Sequence, residues 1–89
     1  MLKIEFRPEA VGQVRLVLAG RMNANSLGEL RRAIERARRH RRRVALDLDE
    51  VTLADRPSID FLAQQTRDEI ELINCPAYLE TWIARASYD

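Results

Sequence analysis

Apolar and polar positions alternate from the first residues onward. Leu2, Ile4 and Phe6 are separated by Lys3, Glu5 and Arg7, which predicts a half-buried first strand. Pro8-Glu9-Ala10-Val11-Gly12 then turns the chain, its proline and glycine being turn residues. Val14, Leu16 and Leu18 alternate with Arg15, Val17 and Ala19, predicting a second strand whose other face is also weakly apolar. The two strands are expected to form an antiparallel hairpin. Gly20 ends the second strand, and Arg21 to Asn25 reads as a polar loop. Ser26 and Glu29 stand at capping-box spacing, so a helix is expected to start at Ser26. Leu27, Leu30, Ile34 and Ala37 would then stack on one helical face, with Arg31, Arg32, Glu35, Arg36 and Arg38 covering the rest.

The run Val44-Ala45-Leu46-Asp47-Leu48 is apolar at every position but one, which predicts a central strand buried on both faces. Asp49-Glu50 reads as an acidic turn closing that strand. Asp55-Arg56-Pro57-Ser58 resembles a helix opening, with a carboxylate able to accept backbone N–H bonds and a proline in the first turn. Strand end and helix start are therefore expected to meet in one exposed loop. A short helix follows from about Pro57 to Thr66, with Ile59, Leu62, Ala63 and Thr66 inward and Phe61 at the boundary. Glu69 to Ile73 alternates as a last strand, and Asn74-Cys75-Pro76 opens a last helix with Tyr78, Leu79, Trp82 and Ile83 facing inward. Its end, Ala84 to Asp89, is expected to fray. The order strand, strand, helix, strand, helix, strand, helix predicts one α/β domain over residues 1–89, with a mixed, mostly parallel four-stranded sheet, the first strand antiparallel, and about three helices.

An apolar fraction of 46% with 33% charged residues is that of a globular chain. No apolar run approaches the roughly 20 residues of a membrane helix, and the alternating N-terminus lacks the continuous apolar core of a secretory signal; a cytoplasmic protein without membrane insertion is expected. Cys75 is the one cysteine, which excludes an internal disulfide and a cysteine metal cluster. No metal-ligand spacing or phosphate-cradling glycine loop points to a cofactor. The net charge of +1 conceals eight arginines between Arg31 and Arg43. That cluster could neutralise phosphates, but no aromatic residue lies among it to stack bases, so nucleic acid is the disfavoured reading beside a solvated face. Asp47, Asp49, Glu50 and Asp55 gather near one strand end, yet without a poised partner they read as turn and capping groups rather than acid-base catalysts. His40 sits among arginines at a helix end. No enzyme is expected.

The segments Val14-Arg15-Leu16-Val17-Leu18-Ala19-Gly20, Leu46-Asp47-Leu48 and the loop-to-helix Asp55, with the closing Asn74-Cys75-Pro76-Ala77-Tyr78-Leu79, resemble in order and spacing the STAS domains. These include the anti-sigma factor antagonists. The resemblance covers residues 10 to 85. It implies a non-catalytic protein-interaction module of bacterial signalling and transcription regulation. Its partner would be an anti-sigma factor of kinase-like type, bound through the loop and helix start at 49–62. The residues it implicates are Asp55, Arg56, Ser58 and Ile59, joined by Asn23 in the loop after Gly20.

In the antagonists the aspartate is followed directly by a serine or threonine that the partner phosphorylates, adding charge and breaking the complex. Here Arg56 and Pro57 follow Asp55. Arginine accepts no phosphoryl group, so the usual switch is not expected. Ser58, two residues further on, is the candidate phosphosite, set against the simpler reading of a helix-start hydroxyl. A subunit role in a larger transport or stress-signalling assembly is the alternative. The sequence does not fix an oligomeric state.

Overall fold

The computed structural model describes residues 1–40 and 43–88, and for Tyr88 the backbone. Arg41 and Arg42 of the arginine cluster and the terminal Asp89 lie outside the described residues. The elements are β1 (Leu2–Pro8), β2 (Gln13–Met22), a 3-10 turn (Ala24–Ser26), α1 (Leu27–Arg39), β3 (Arg43–Ala54), α2 (Arg56–Arg67), β4 (Glu71–Ile73) and α3 (Ala77–Tyr88). The sheet order is β1-β2-β3-β4. β1 pairs antiparallel with β2, while β2–β3 and β3–β4 are parallel. This is the mixed α/β sheet with three helices that the alternation of patterns predicts.

One face of the sheet makes the core. Val14, Leu16 and Leu18 of β2 and Val44, Leu46 and Leu48 of β3 are buried in one cluster with Leu30 and Ile34 of α1, Ile59 and Leu62 of α2, and Leu79 and Ile83 of α3. On the opposite face Arg15, Val17, Ala19, Ala45 and Ile73 are half-buried and take no part in that cluster. β3 is therefore not buried on both faces as its sequence suggests. Asp47 is 7% exposed on the uncovered face, shielded there by Arg15, whose Nη1 donates to its Oδ2 at 3.4 Å.

β3 also runs past the expected acidic turn. Relative to β2 its register slips between Val17 and Ala19 and again between Gly20 and Arg21, so that Asp47, Glu50, Val51 and Leu53 face Val17, Ala19, Gly20 and Arg21. Each slip adds one residue to β3, a β-bulge that reverses the side-chain alternation. The first leaves Asp49 and Glu50 both exposed and returns Val51 to the core; the second turns Leu53 out to 55% exposure. An extra residue leaves an unpaired N–H, and here Asp47 Oδ1 accepts the Asp49 N–H at 3.1 Å. Asp47 is thus a structural group of the bulge.

Other boundaries differ for local reasons. Arg21 and Met22 continue β2, with Met22 buried against the core. Ser26 stands at the N-cap position of α1, where the helix is expected to start, but its side chain makes no capping bond there: it closes a capping box opened by Asn23, whose side chain accepts from Asn25 N–H while Ser26 Oγ accepts from Asn23 N–H. A 3-10 turn thus precedes the helix, and the side-chain capping bonds lie three residues upstream. In α2, which opens at Arg56 rather than Pro57, Gln65 takes the buried position expected of Thr66, and Phe61 is buried. Glu69, at φ 65, breaks the chain after α2 and shortens β4 to three residues. Phe6, at the sheet edge, is 40% exposed. α3 holds its helix to Tyr88 instead of fraying from Ala84, and it turns Leu79 and Ile83 inward while Tyr78 and Trp82 remain 45% and 49% exposed.

Candidate functional site

The expected loop between β3 and α2 is a single residue. β3 ends at Ala54, α2 begins at Arg56, and Asp55 alone joins them. Asp55 is the N-cap of α2, in extended conformation, with Pro57 in the first turn. Its Oδ1 accepts the Ser58 N–H at 3.0 Å and the Ser58 hydroxyl at 2.7 Å, and its Oδ2 accepts the Ala24 N–H at 3.1 Å. One carboxylate thereby ties α2 to the 3-10 turn that follows β2. The backbone repeats the tie, Asp55 N–H donating to the Met22 carbonyl at 3.2 Å. Foremost among the causes, the Ser58 hydroxyl holds Asp55 below its ordinary carboxylate range, because a bond to the charged form favours it.

The residues that sequence reasoning singles out fall into two layers. Asn23, Asp55 and Arg56 reach the surface at this corner, and Ile59 lies just beneath it at 8% exposure. Ser58 is fully buried, its hydroxyl engaged by Asp55. Arg56 projects into solvent with a side chain 68% exposed, its Nε donating to Asp60 one turn on at 3.2 Å.

Beside this corner, between α2 and α3, lies a groove that sequence reasoning assigns to the core. Leu53, Ala54, Arg56, Ile59, Tyr78, Leu79 and Trp82 enclose about 430 Å³, and Arg56, Ile59 and Trp82 continue it with Arg85 and Ala86 around a further 220 Å³ or so. Tyr78 is held at its mouth, the hydroxyl donating to the Val51 carbonyl at 2.9 Å. Burial in the main raises the Tyr78 pKa. The Arg85 guanidinium lies 5.3 Å from the centroid of the Trp82 ring, within cation–π range. Cys75, half-buried nearby, is pushed up in pKa by burial and by Glu80.

The remaining charges arrange themselves apart from this corner. A depression of about 360 Å³ at the other end of the strands is lined by Glu9, Arg15, Arg43 and Glu71 among others; Arg15 there pairs with both Glu9 and Asp47. In α1, Arg31 lies over the Phe61 ring and Arg38 donates to the Asp68 carbonyl, so two of the clustered arginines serve packing. Among the described residues, no three His, Cys, Asp or Glu side chains gather to hold a metal, and no helix is long and apolar enough to cross a membrane.

No known family profile matches the sequence, and no curated protein does. Solved structures do match. One is an uncharacterized protein of the DUF3478 family with a SpoIIAA-like fold from Shewanella loihica, 14% identical, superposing with a TM-score of 0.58 over 97% of this chain and 75% of that one. The chain therefore has the SpoIIAA-like fold, which is the fold of the STAS domains.

Proposed function

We propose that this chain is a non-catalytic interaction module of the anti-sigma factor antagonist type. It would receive a regulatory protein partner, kinase-like or an assembly subunit, in the bacterial cytoplasm. The contact surface is the corner where the 3-10 turn, Asp55 and the first turns of α2 meet, presenting Asn23, Asp55 and Arg56, with Ile59 and Ser58 as the support beneath. The observation that carries this reading is the triple engagement of the Asp55 carboxylate. It joins two separate connections of a SpoIIAA-like fold into one preformed exposed surface, and preformed surfaces bind without first being ordered.

The usual phospho-switch has no place in this reading. Arg56 occupies the acceptor position, and the nearest hydroxyl, Ser58, is buried and bonded. Tagged protein used to capture partners from its source cells tests the proposal, with Arg56→Glu as the site variant and Lys3→Glu, on the far strand, as control. A partner recovered by the wild type and by Lys3→Glu but lost with Arg56→Glu is expected. The same recovery from all three would overturn it, as would phosphate found on Ser58 of the folded protein after incubation with the partner.

A further inference from the structure

From the groove between α2 and α3 we infer the chemistry of the partner: an amphipathic helix that inserts an apolar stripe and carries carboxylates along both of its margins. This deepens the proposed interaction surface and rests on it, because Arg56 belongs to both. Six apolar side chains, Leu53, Ala54, Ile59, Tyr78, Leu79 and Trp82, line the groove. Three of them are large and about half exposed, at 55%, 45% and 49% for Leu53, Tyr78 and Trp82. A contiguous patch of such side chains marks a contact surface rather than ordinary surface scatter.

Its length suits a helix. Tyr78, Trp82 and Arg85 follow one another at helical spacing along α3, a span of about two turns. Helix-in-groove recognition uses anchors at that same spacing.

The rim fixes the sign of the charge. Among the described residues, the charged side chains lining the groove are Arg56 and Arg85, on opposite walls, and no carboxylate lines it. Asp60 takes up part of the Arg56 charge at 3.2 Å, while Arg85 lies over the Trp82 ring and lines the groove. An occupant with acidic margins gains two guanidinium–carboxylate contacts, and one with basic margins meets repulsion at both.

Trp82 is the one tryptophan of the chain and so reports occupancy directly. The probes are two tryptophan-free helical peptides of about 16 residues, long enough to hold a helix, with the same leucine stripe and either glutamate or lysine at its margins. The glutamate peptide is expected to shift Trp82 emission to the blue and to bind about tenfold more tightly than the lysine peptide, as two rim charge pairs allow. Arg56→Glu combined with Arg85→Glu, checked for an unchanged melting curve, should reverse that preference. Fluorescence anisotropy of labelled peptides gives a second reading that does not depend on Trp82, so that Trp82→Ala can be shown to weaken binding of the glutamate peptide. Equal affinity for the two peptides, or no response to either, overturns the inference. If neither peptide binds while partner capture still depends on Arg56, the groove fails and the corner surface stands. If the glutamate peptide binds in the expected way while capture is indifferent to Arg56, the groove stands and the corner surface fails.

Discussion

Replacing Ser58 by alanine separates the anchor reading of this side chain from the phosphosite reading. The hydroxyl is fully buried and donates to Asp55 Oδ1 at 2.7 Å. Alanine leaves no unsatisfied donor behind, and Asp55 keeps the N–H bonds from Ser58 and Ala24. What is lost is one hydrogen bond to a charged acceptor at a corner open to water on the other side, about 1–2 kcal/mol. For a chain of 89 residues that corresponds to a fall in melting temperature of about 5–15 °C.

The loss should depend on pH. Asp55 titrates below its ordinary range, chiefly through this hydroxyl, so the stabilisation it brings is complete above that range and disappears as pH falls through the folded value. Alanine moves the folded value back toward the ordinary one. Wild type and variant should therefore differ fully at neutral pH and converge in strong acid. Thermal melts followed by circular dichroism at several pH values measure both. A Ser58→Ala melt within about 1 °C of wild type at neutral pH, or a gap constant down to acid, would refute the anchor. Ser58→Asp, which sets a second carboxylate against Asp55 in a buried position, should melt well below wild type at neutral pH, since one of the two must take up a proton for both to fit.

Arg56→Glu should melt within about 0.5 kcal/mol of wild type in stability, because its Asp60 pair is exposed, so that lost capture is a loss of contact and not of fold. Leu62→Ala, at a position with no exposure under α2, should cost about 2–5 kcal/mol in urea titrations followed by Trp82 emission. Tyr78→Phe removes the bond to the Val51 carbonyl and should cost about 0.5–1.5 kcal/mol by the same assay. Gly12 and Gly20 both have positive φ, 79° and 101°, but a Cβ on Gly12 meets nothing within 4 Å whereas one on Gly20 would lie 2.6 Å from the Met1 carbonyl oxygen. Gly12→Ala should then cost about 1 kcal/mol and Gly20→Ala clearly more, with equal losses contradicting the close approach.

The element order was legible because each strand and helix buries one face, and that face imprints its period on the sequence. The bulges of β3 were not. An inserted residue breaks the period, so Asp49 and Glu50, exposed side by side within a strand, look like a turn. The inward stripe of α3 was ambiguous for a different reason. Tyr78 and Trp82 form one stripe at helical spacing and Leu79 and Ile83 the adjacent one, and nothing polar between them says which faces the sheet. The helix cap was ambiguous because Asn23 with Ser26 and Ser26 with Glu29 share the same spacing, and the 3-10 turn decides between them. Asp55 as the helix cap could be read from its neighbours Pro57 and Ser58. Its bond to Ala24, 31 residues away, left no local trace.

That one-residue joint between β3 and α2 bears on the energetics of association. A flexible loop must be ordered when a partner arrives, and its lost freedom subtracts from affinity. Here there is no slack to remove: α2 continues directly from a bulged strand and is pinned sideways to the turn after β2. Calorimetry of the complex should therefore show little entropic penalty from this corner, and a partner that displaces the Ala24 amide from Asp55 would have to disturb strand, turn and helix together.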